Sequence, residues 1–248
     1  LVSFGAAGIE RGIAIINPAE GQWVDSEQVN MILSQAGLKT WKLYESVPDS
    51  HDLREELYQH MDTVSSKNIS TKMVLPIDQH FNVKGVGLVA IGYVQSGTVN
   101  KHDEVVILPA NENGVVRSLQ VMDDDVDSAI AGDRVGVALR NLREESLHRG
   151  CMIIHPESQA LIRHDNSKIK IKTAPFQKRQ LTNEDVIHAA VDLQFVVGRI
   201  KRVDGDLISV EWENPLWIRA EGSPKILITQ LDAMPMRIIG SLETIEQI

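Results

Sequence analysis

The chain has 248 residues, of which 43% are apolar and 24% are charged, and this composition predicts packed cores and excludes disorder as the main state. Because an ordinary domain has ~100–150 residues, two or three domains are expected. The single cysteine, Cys151, excludes an internal disulfide and a cysteine-cluster metal site, and it fits a reducing, cytoplasmic setting. The net charge of −9 argues against non-specific coating of nucleic acid, and no apolar run is long enough to predict a membrane span. The chain starts at Leu1 without a signal-peptide pattern, so we expect a piece of a longer product.

The first 62 residues follow an α/β pattern. The apolar run 12–16 is typical of a buried parallel strand. Asp25 and Gln28 have capping-box spacing and predict a helix that ends at Gly37. Residues 38–44 predict a second strand.

A second helix and a linker are predicted next. Leu53, Leu57 and Met61 recur every four residues, which indicates an apolar helical stripe. Residues 63–70 are polar and short, and they predict a linker.

From residue 71 the pattern changes to short, closely spaced strands, which is typical of β-barrels or sandwiches. The predicted strands fall in two sets, at 73–77, 87–94, 104–108, 115–121 and 135–139, and then at 168–172, 186–203, 207–213, 225–231 and 236–248. Asn113-Gly114 and Gly205-Asp206 predict tight turns between strands.

Two motifs could bind ligands but have simpler interpretations. Gly85-Val86-Gly87 could begin a dinucleotide loop, yet the third glycine is missing and strand-like residues follow, so a hairpin is favoured. The acidic run 123–125 with Asp127 could hold a hard cation, but it lacks the glycine and the glutamate of a calcium loop, so a solvated loop is favoured. The sequence contains no GxxxxGK[ST] phosphate loop.

The charge is unevenly distributed along the chain. Residues 1–69 carry a net −5, residues 70–155 a net −3 and residues 156–248 a net −1. The last segment contains a group of basic residues, namely Lys168, Lys170, Lys172, Lys178, Arg179, Arg199, Lys201 and Arg202. They form either a local basic face or the solvated side of a strand.

Residues 71–155 resemble the second domain of translational GTPases of the elongation factor Tu class. The matching stretches are PIDQHFNVKGVGLVAIGYVQSGTVNKHDEVVILP (76–109), VVRSLQV (115–121), AIAGDRVGVALRNL (129–142) and HRGCMI (148–153). Residues 156–248 resemble the third domain through APFQKRQL (174–181), VDLQFVVGRIKRV (191–203) and MRIIG (236–240). The FNVKGVG form is similar to that of the archaeal elongation-factor-Tu homologues and the selenocysteine-specific elongation factor. The resemblance implies a multidomain fold in which an α/β remnant of a P-loop GTPase domain (1–66) precedes two β-barrels (67–155 and 156–248).

The same resemblance makes the first segment the end of a GTPase domain. Asn17 matches the family's guanine motif Asn-Lys-x-Asp, whereas Pro18 and Glu20 depart from it, and Ser46 corresponds to a later Ser-Ala turn. Because one extra methylene misplaces the carboxylate, the guanine motif is degenerate. GTP or GDP with magnesium is therefore expected for the complete protein and not for this chain alone, and catalytic residues are not assigned.

The resemblance places an aminoacyl-tRNA pocket on the second domain. Its expected residues are Asp78, Gln79, His80, Phe81, Gln120, Met122 and Arg134. Gln120 replaces a glutamate of elongation factor Tu, and Arg134 replaces an asparagine. Met122 stands where that protein has a histidine or another bulky residue. Arg134 could favour an anionic group or pair with Asp133, and His80 could contact the aminoacyl group or be an exposed strand-end residue.

The implied function is that of a translation elongation factor that binds aminoacyl-tRNA, with tRNA and the ribosome as partners and neither membrane nor DNA. Phosphates of the tRNA would contact Lys168, Lys170, Lys172, Lys178 and Arg179. Cytoplasmic localisation and no bound metal are expected. The alternative is a paralogue without a working GTPase that acts as an RNA- or protein-interaction module.

Overall fold

The computed structural model describes residues 1–63 and 71–248, which form an α/β segment followed by two closed β-barrels. The α/β segment contains α1 (Val2–Ala6), β1 (Ile13–Ile15), α2 (Ser26–Gln35), β2 (Lys42–Tyr44) and α3 (Ser50–Asp62). Strands β1 and β2 pair in parallel, with Ile15 opposite Tyr44. Within residues 1–63 and 71–248, no helix has the length and apolar character needed to cross a membrane.

Both predicted helices are confirmed, and their first residues explain where they begin. Asp25 caps α2, because its Oδ1 accepts hydrogen bonds from the backbone N–H groups of Glu27 at 2.9 Å and Gln28 at 3.3 Å. Gly37 follows α2 with a φ of +81°, which ends the helix in the left-handed conformation that glycine tolerates. Asp49 caps α3 in the same way, through the N–H of His51 at 2.8 Å.

Two predictions about this segment are wrong. The second strand covers only Lys42–Tyr44, because the chain turns where the N–H of Trp41 bonds to the carbonyl of Leu38. The first strand is not buried as expected, since its residues are only half-buried or exposed, with Ile15 38% exposed. A two-stranded sheet covers too little surface to bury it among the described residues.

The predicted linker 63–70 lies outside the described residues except for Thr63.

The first barrel is a ring of six strands. The strands of this region are β3 (Val74–Val83), β4 (Gly87–Tyr93), β5 (Thr98–Asn100), β6 (Glu104–Leu108), β7 (Glu112–Val121), β8 (Asp124–Val126), β9 (Ser128–Ile130), β10 (Arg134–Arg140) and β11 (Met152–Ile154). Their order is β10-β4-β3-β11-β6-β7, and the pairing of β10 with β7 closes the ring. Alternate residues such as Leu75, Ile107 and Ile153 are fully buried and fill the interior.

The turns of the first barrel confirm one prediction and contradict another. Gly85 lies in the hairpin that joins β3 to β4, where Val83 pairs with Gly87, so the hairpin interpretation is confirmed. The predicted turn at Asn113-Gly114 is wrong, because both residues lie inside β7, opposite Val106 and Val105. The chain reverses earlier, at residues 109–111, where Asn111 adopts a φ of +52°.

The acidic run forms a turn and a short strand. Asp123 follows Met122 in a two-residue hairpin turn, in which both φ angles are positive, and Asp124 begins β8. Among the described residues, no group of histidine, cysteine, aspartate and glutamate side chains is arranged to hold a metal ion.

The second barrel is a ring in the order β12-β15-β14-β13-β16-β17. Its strands are β12 (Leu161–Thr173), β13 (Val186–Val191), β14 (Gln194–Asp204), β15 (Leu207–Arg219), β16 (Leu227–Thr229) and β17 (Ile238–Gln247). The predicted single strand 186–203 is in fact β13 and β14, because Asp192 and Leu193 form a turn with φ angles of +44° and +65°. Leucine is unusual in that conformation, and Asp192 by itself is a weak turn signal without a neighbouring glycine. The turn at Gly205 is confirmed.

Candidate functional site

A groove of about 790 Å³ lies on the outer face of the first barrel, above β4, β10 and β7. Two rows of side chains in cross-strand register form its floor, Ile91–Gly136–Gln120 and Val89–Ala138–Ser118. The central strand, β10, contributes the small residues Gly136 and Ala138, so the floor is lowest in the middle. A ligand can therefore approach the sheet closely there.

Two hairpins form the walls of this groove. The β3–β4 hairpin provides Phe81, Val83 and Val86, and the β7–β8 hairpin provides Met122, Asp123 and Asp125. Phe81 is 41% and Met122 90% exposed, so each wall offers an apolar surface to a planar group.

Polar groups lie at the ends and along one wall. The Gln120 Nε2 donates a hydrogen bond to Asp125 Oδ1 at 2.9 Å, which fixes the orientation of the amide. Arg134 begins β10 opposite Tyr93, at one end of the groove. Three cations, Lys101, Arg117 and Arg134, and two carboxylates, Asp123 and Asp125, line the groove. The groove thus combines apolar walls with hydrogen-bond donors and a slight excess of positive charge.

The predicted pocket residues divide into two groups. Phe81, Gln120, Met122 and Arg134 all line the groove, although they come from three separate parts of the sequence. Asp78, Gln79 and His80 are not among its lining residues.

Each residue of the second group has another environment. Asp78 Oδ1 lies 3.3 Å from Arg149 Nη1 in an ion pair. Gln79 is exposed opposite Ile91, and His80 is half-buried opposite Ala90. Asp133 Oδ2 accepts a hydrogen bond from the N–H of Ile130 at 2.8 Å, which leaves its Oδ1 available for the alternative pairing with Arg134.

The sequence did not point to Arg117, Ser118, Gly136 or Ala138, although all four line the groove. The small residues Gly136 and Ala138 alternate with bulky residues along β10, and this pattern indicates a depression in the outer face of the strand. The position of Arg117 was not predictable, because it depends on a β-bulge between β7 and β10.

The residues expected to contact guanine lie at one edge of the α/β segment. Asn17 follows β1 and Ser46 follows β2, and the carboxyl ends of parallel strands meet at one edge. Asn17, Glu20 and Ser46 are all exposed.

The predicted basic residues lie on the outside of the second barrel. Lys168 and Lys172 are exposed on β12, on either side of Ile169 and Ile171, which pack into the core. Lys170 Nζ lies 3.2 Å from Glu243 Oε2, so its charge is partly neutralised.

The two other predicted basic residues belong to the loop after β12. Lys178 is exposed, and Arg179 Nη2 lies 3.3 Å from Asp185 Oδ1. The set therefore contains three exposed lysines, Lys168, Lys172 and Lys178, and two cations already in ion pairs.

Cys151 has the properties of a structural residue. Burial raises the pKa of its thiol to about 11, so the thiolate nucleophile is disfavoured at neutral pH.

Comparisons with known proteins agree with this architecture. The family model described as elongation factor Tu domain 2 matches residues 87–154. The selenocysteine-specific elongation factor of Methanocaldococcus jannaschii is 31% identical over 216 residues, which cover 79% of this chain and 46% of that protein. An uncharacterized protein of the same organism is 28% identical over 216 residues, 87% of this chain and 66% of its own length.

Solved structures give the same result. The apo form of the elongation factor SelB from Methanococcus maripaludis superposes with a TM-score of 0.79 and 25% identity, over 99% of this chain and 59% of that one. Its complex with a GTP analogue gives a TM-score of 0.78 at 23% identity and shares the fold. The chain therefore spans 66% and 46% of the lengths of these two Methanocaldococcus proteins and 59% of the apo SelB chain. The α/β segment and the two barrels are therefore similar in sequence and fold to the elongation-factor-Tu-like proteins, SelB among them.

Proposed function

We propose that the groove of the first barrel binds the aminoacylated 3′ end of a tRNA, as part of an elongation-factor-like protein that acts in translation. The observation that carries this proposal is the convergence of Phe81, Gln120, Met122 and Arg134 on one groove. The relationship to proteins named as elongation factors supports it.

The chemistry of the groove suits an unstacked terminal nucleotide. A base can lie against the exposed ring of Phe81, and such stacking contributes about 1–3 kcal/mol per base. Because Gln120 Nε2 is bound to Asp125, its Oε1 is left to accept a hydrogen bond from a ribose hydroxyl or a base amino group.

Arg134 would act on the other part of the ligand. It lies at the end of the groove, where its guanidinium can donate to the ester carbonyl or to an anionic side chain of the amino acid. This would select amino acids that carry a negative charge or a strong hydrogen-bond acceptor.

The outer face of the second barrel would contact the tRNA backbone. Lys168, Lys172 and Lys178 are exposed and can each neutralise a phosphate, whereas Lys170 and Arg179 would have to leave their carboxylate partners. We include the ribosome as a further partner and the cytoplasm as the location, since both suit a translation factor.

We also propose that GTP, with magnesium, belongs to the complete protein. Asn17 and Ser46 lie at one edge of the parallel pair β1–β2, where a nucleotide base can be held, but the sequence contains no phosphate loop. The described α/β segment alone is therefore not expected to bind a guanine nucleotide.

A gel-shift titration of the protein with charged and uncharged forms of the same tRNA tests the main proposal. Tighter binding of the charged form is expected, because the aminoacyl group adds contacts at Arg134. Equal affinity for the two forms would refute it.

The second candidate is an interaction module without GTPase activity. It is favoured by one observation, the sequence Asn17-Pro18-Ala19-Glu20, in which proline and glutamate replace the lysine and aspartate of the guanine motif. Calorimetric titration of the complete protein with GDP and with GTP separates the candidates. Micromolar or tighter binding would eliminate the interaction module, and absence of heat would favour it.

A further inference from the structure

Arg117 occupies a β-bulge in the floor of the groove. Along the β7–β10 pair, Ala138 is opposite Ser118, whereas the next residue, Leu139, is opposite Val116, so Arg117 is an extra residue without a partner on β10. The burial pattern agrees with this. Val116 and Leu119 both point into the core, three residues apart instead of two, so Arg117 and Ser118 both face outwards.

The bulge directs Arg117 towards the opposite wall. Its Nη1 donates a hydrogen bond to the carbonyl oxygen of Val86, which lies in the tip of the β3–β4 hairpin. The contact links the floor to the wall that carries Phe81. The bulge that carries Arg117 lies four to five residues along β10 from Arg134. The two arginines therefore occupy opposite ends of the groove, about 15 Å apart.

The tip of the hairpin projects from the barrel surface. A Cβ at Gly85 or Gly87 would meet no atom within 4 Å, and both glycines have positive φ angles, +84° and +101°. The backbone of the tip is therefore well solvated and conformationally permissive. A charged hydrogen bond to its carbonyl is well placed to restrain it.

We infer that Arg117 is a positioning residue that holds the β3–β4 hairpin against the floor and so sets the width of the groove. The identity of the ligand, the 3′ end of a tRNA, rests on the proposed function. The restraint of the hairpin by Arg117 does not depend on that ligand. Arg117 acts through the hairpin on Phe81, and no contact between Arg117 and the ligand is required.

Hydrogen exchange in the hairpin tests the restraint directly. Amide exchange of residues 82–88 would be followed by mass spectrometry in the full chain, for the wild type, Arg117→Gln and Arg117→Lys. Arg54→Gln serves as the matched control, because it makes the same change at an exposed arginine of α3 that does not line the groove. Loss of the Arg117 bond is expected to accelerate exchange about fivefold, with partial rescue by lysine and no change in the control.

A binding arm uses a hydrolysis-resistant 3′-aminoacylamido-adenosine as the probe. Arg117→Gln is expected to weaken its binding about tenfold, and Arg54→Gln to leave it within about twofold. Unchanged exchange in Arg117→Gln would overturn the positioning role, and so would faster exchange without a loss of affinity. If the wild type does not bind the probe, the proposed function fails, while the exchange result still decides the role of Arg117.

Discussion

A Cβ atom on Gly150 would lie 2.7 Å from the carbonyl oxygen of Leu193, so the first barrel meets a turn of the second at a point where no side chain fits. Gly150 also has a φ of +86°, which L-residues rarely adopt. Next to this contact, Val74, Met152 and Ala160 form a buried cluster. The end of the first barrel therefore packs directly against a turn of the second barrel.

Replacement of Gly150 by alanine is expected to lower the free energy of unfolding by about 2–4 kcal/mol, because it adds both backbone strain and a clash with Leu193. The matched control is Gly205→Ala, where φ is +60° and a Cβ would meet nothing within 4 Å. The control should cost about 1 kcal/mol, from strain alone. Urea denaturation of both variants measures the difference, and equal losses would show that the contact with Leu193 is unimportant.

The turn between β13 and β14 depends on an ion pair. Arg219 Nε donates to Asp192 Oδ2 at 2.8 Å, and the side chains are only 16% and 6% exposed. Asp192→Asn is expected to destabilise the protein by about 2 kcal/mol, because asparagine tolerates the turn conformation but leaves the buried guanidinium without its counter-charge. A double-mutant cycle with Arg219→Gln would give a coupling free energy near zero if the pair contributes nothing.

Stability should depend on pH through a buried histidine. His164 is 4% exposed, its Nδ1 lies 3.3 Å from Ser167 Oγ, and Trp212 Nε1 donates to the same hydroxyl at 3.0 Å. Burial lowers the pKa of His164, against the opposing effect of Asp165. Since the unfolded chain then binds a proton more readily than the folded one, stability is lost as the pH falls below about 6.5, and the loss levels off below the folded pKa.

The variant His164→Gln removes this titration. Between pH 7 and about 5.5 the unfolding free energy of the wild type should fall relative to that of the variant, with a slope of at most about 1.4 kcal/mol per pH unit. The exposed His51, replaced in the same way, is the control. Parallel curves for wild type and His164→Gln would contradict the prediction.

The exposed lysines of β12 should affect RNA binding through salt dependence. Lys168→Ala is expected to reduce the slope of log affinity against log salt by about one unit, because one phosphate contact is lost. Lys170→Ala should change the slope less, since its ammonium is already 3.2 Å from Glu243. A titration series from low to high salt measures both, and the exposed Lys39 provides a charge-matched control outside the barrels.

Much of the fold was predictable, because local signals agree with the tertiary structure. Asp25 and Gly37 mark the ends of α2, and alternation such as Ile169 inside and Lys168 outside marks the strands. The errors in the barrels occurred where residues other than glycine adopt positive φ angles. The turns at Asn111 and Asp192-Leu193 lack the glycine that would have identified them. Conversely, Gly114 has the residue type expected of a turn but lies inside a strand.

The candidate site was only partly predictable for a related reason. Phe81, Gln120, Met122 and Arg134 follow from the family resemblance, and the structure brings them to one groove. Arg117 depends on a bulge, and a bulge arises from the pairing of two strands rather than from a local pattern.

The ratio of affinities for charged and uncharged tRNA, measured for the wild type and for Gly136→Val, tests whether the groove holds the aminoacylated end. A Cβ at Gly136 would contact only Gln120 atoms, at 3.9 Å and beyond, so the variant should fold, but its side chain would fill the lowest part of the groove. Ser34→Val, at an exposed position of α2 outside both barrels, is the control. We expect the wild type and the control to prefer charged tRNA and Gly136→Val to lose that preference. Equal binding of both tRNA forms by the wild type, or an unchanged preference in Gly136→Val, would show that the groove does not bind the aminoacylated end.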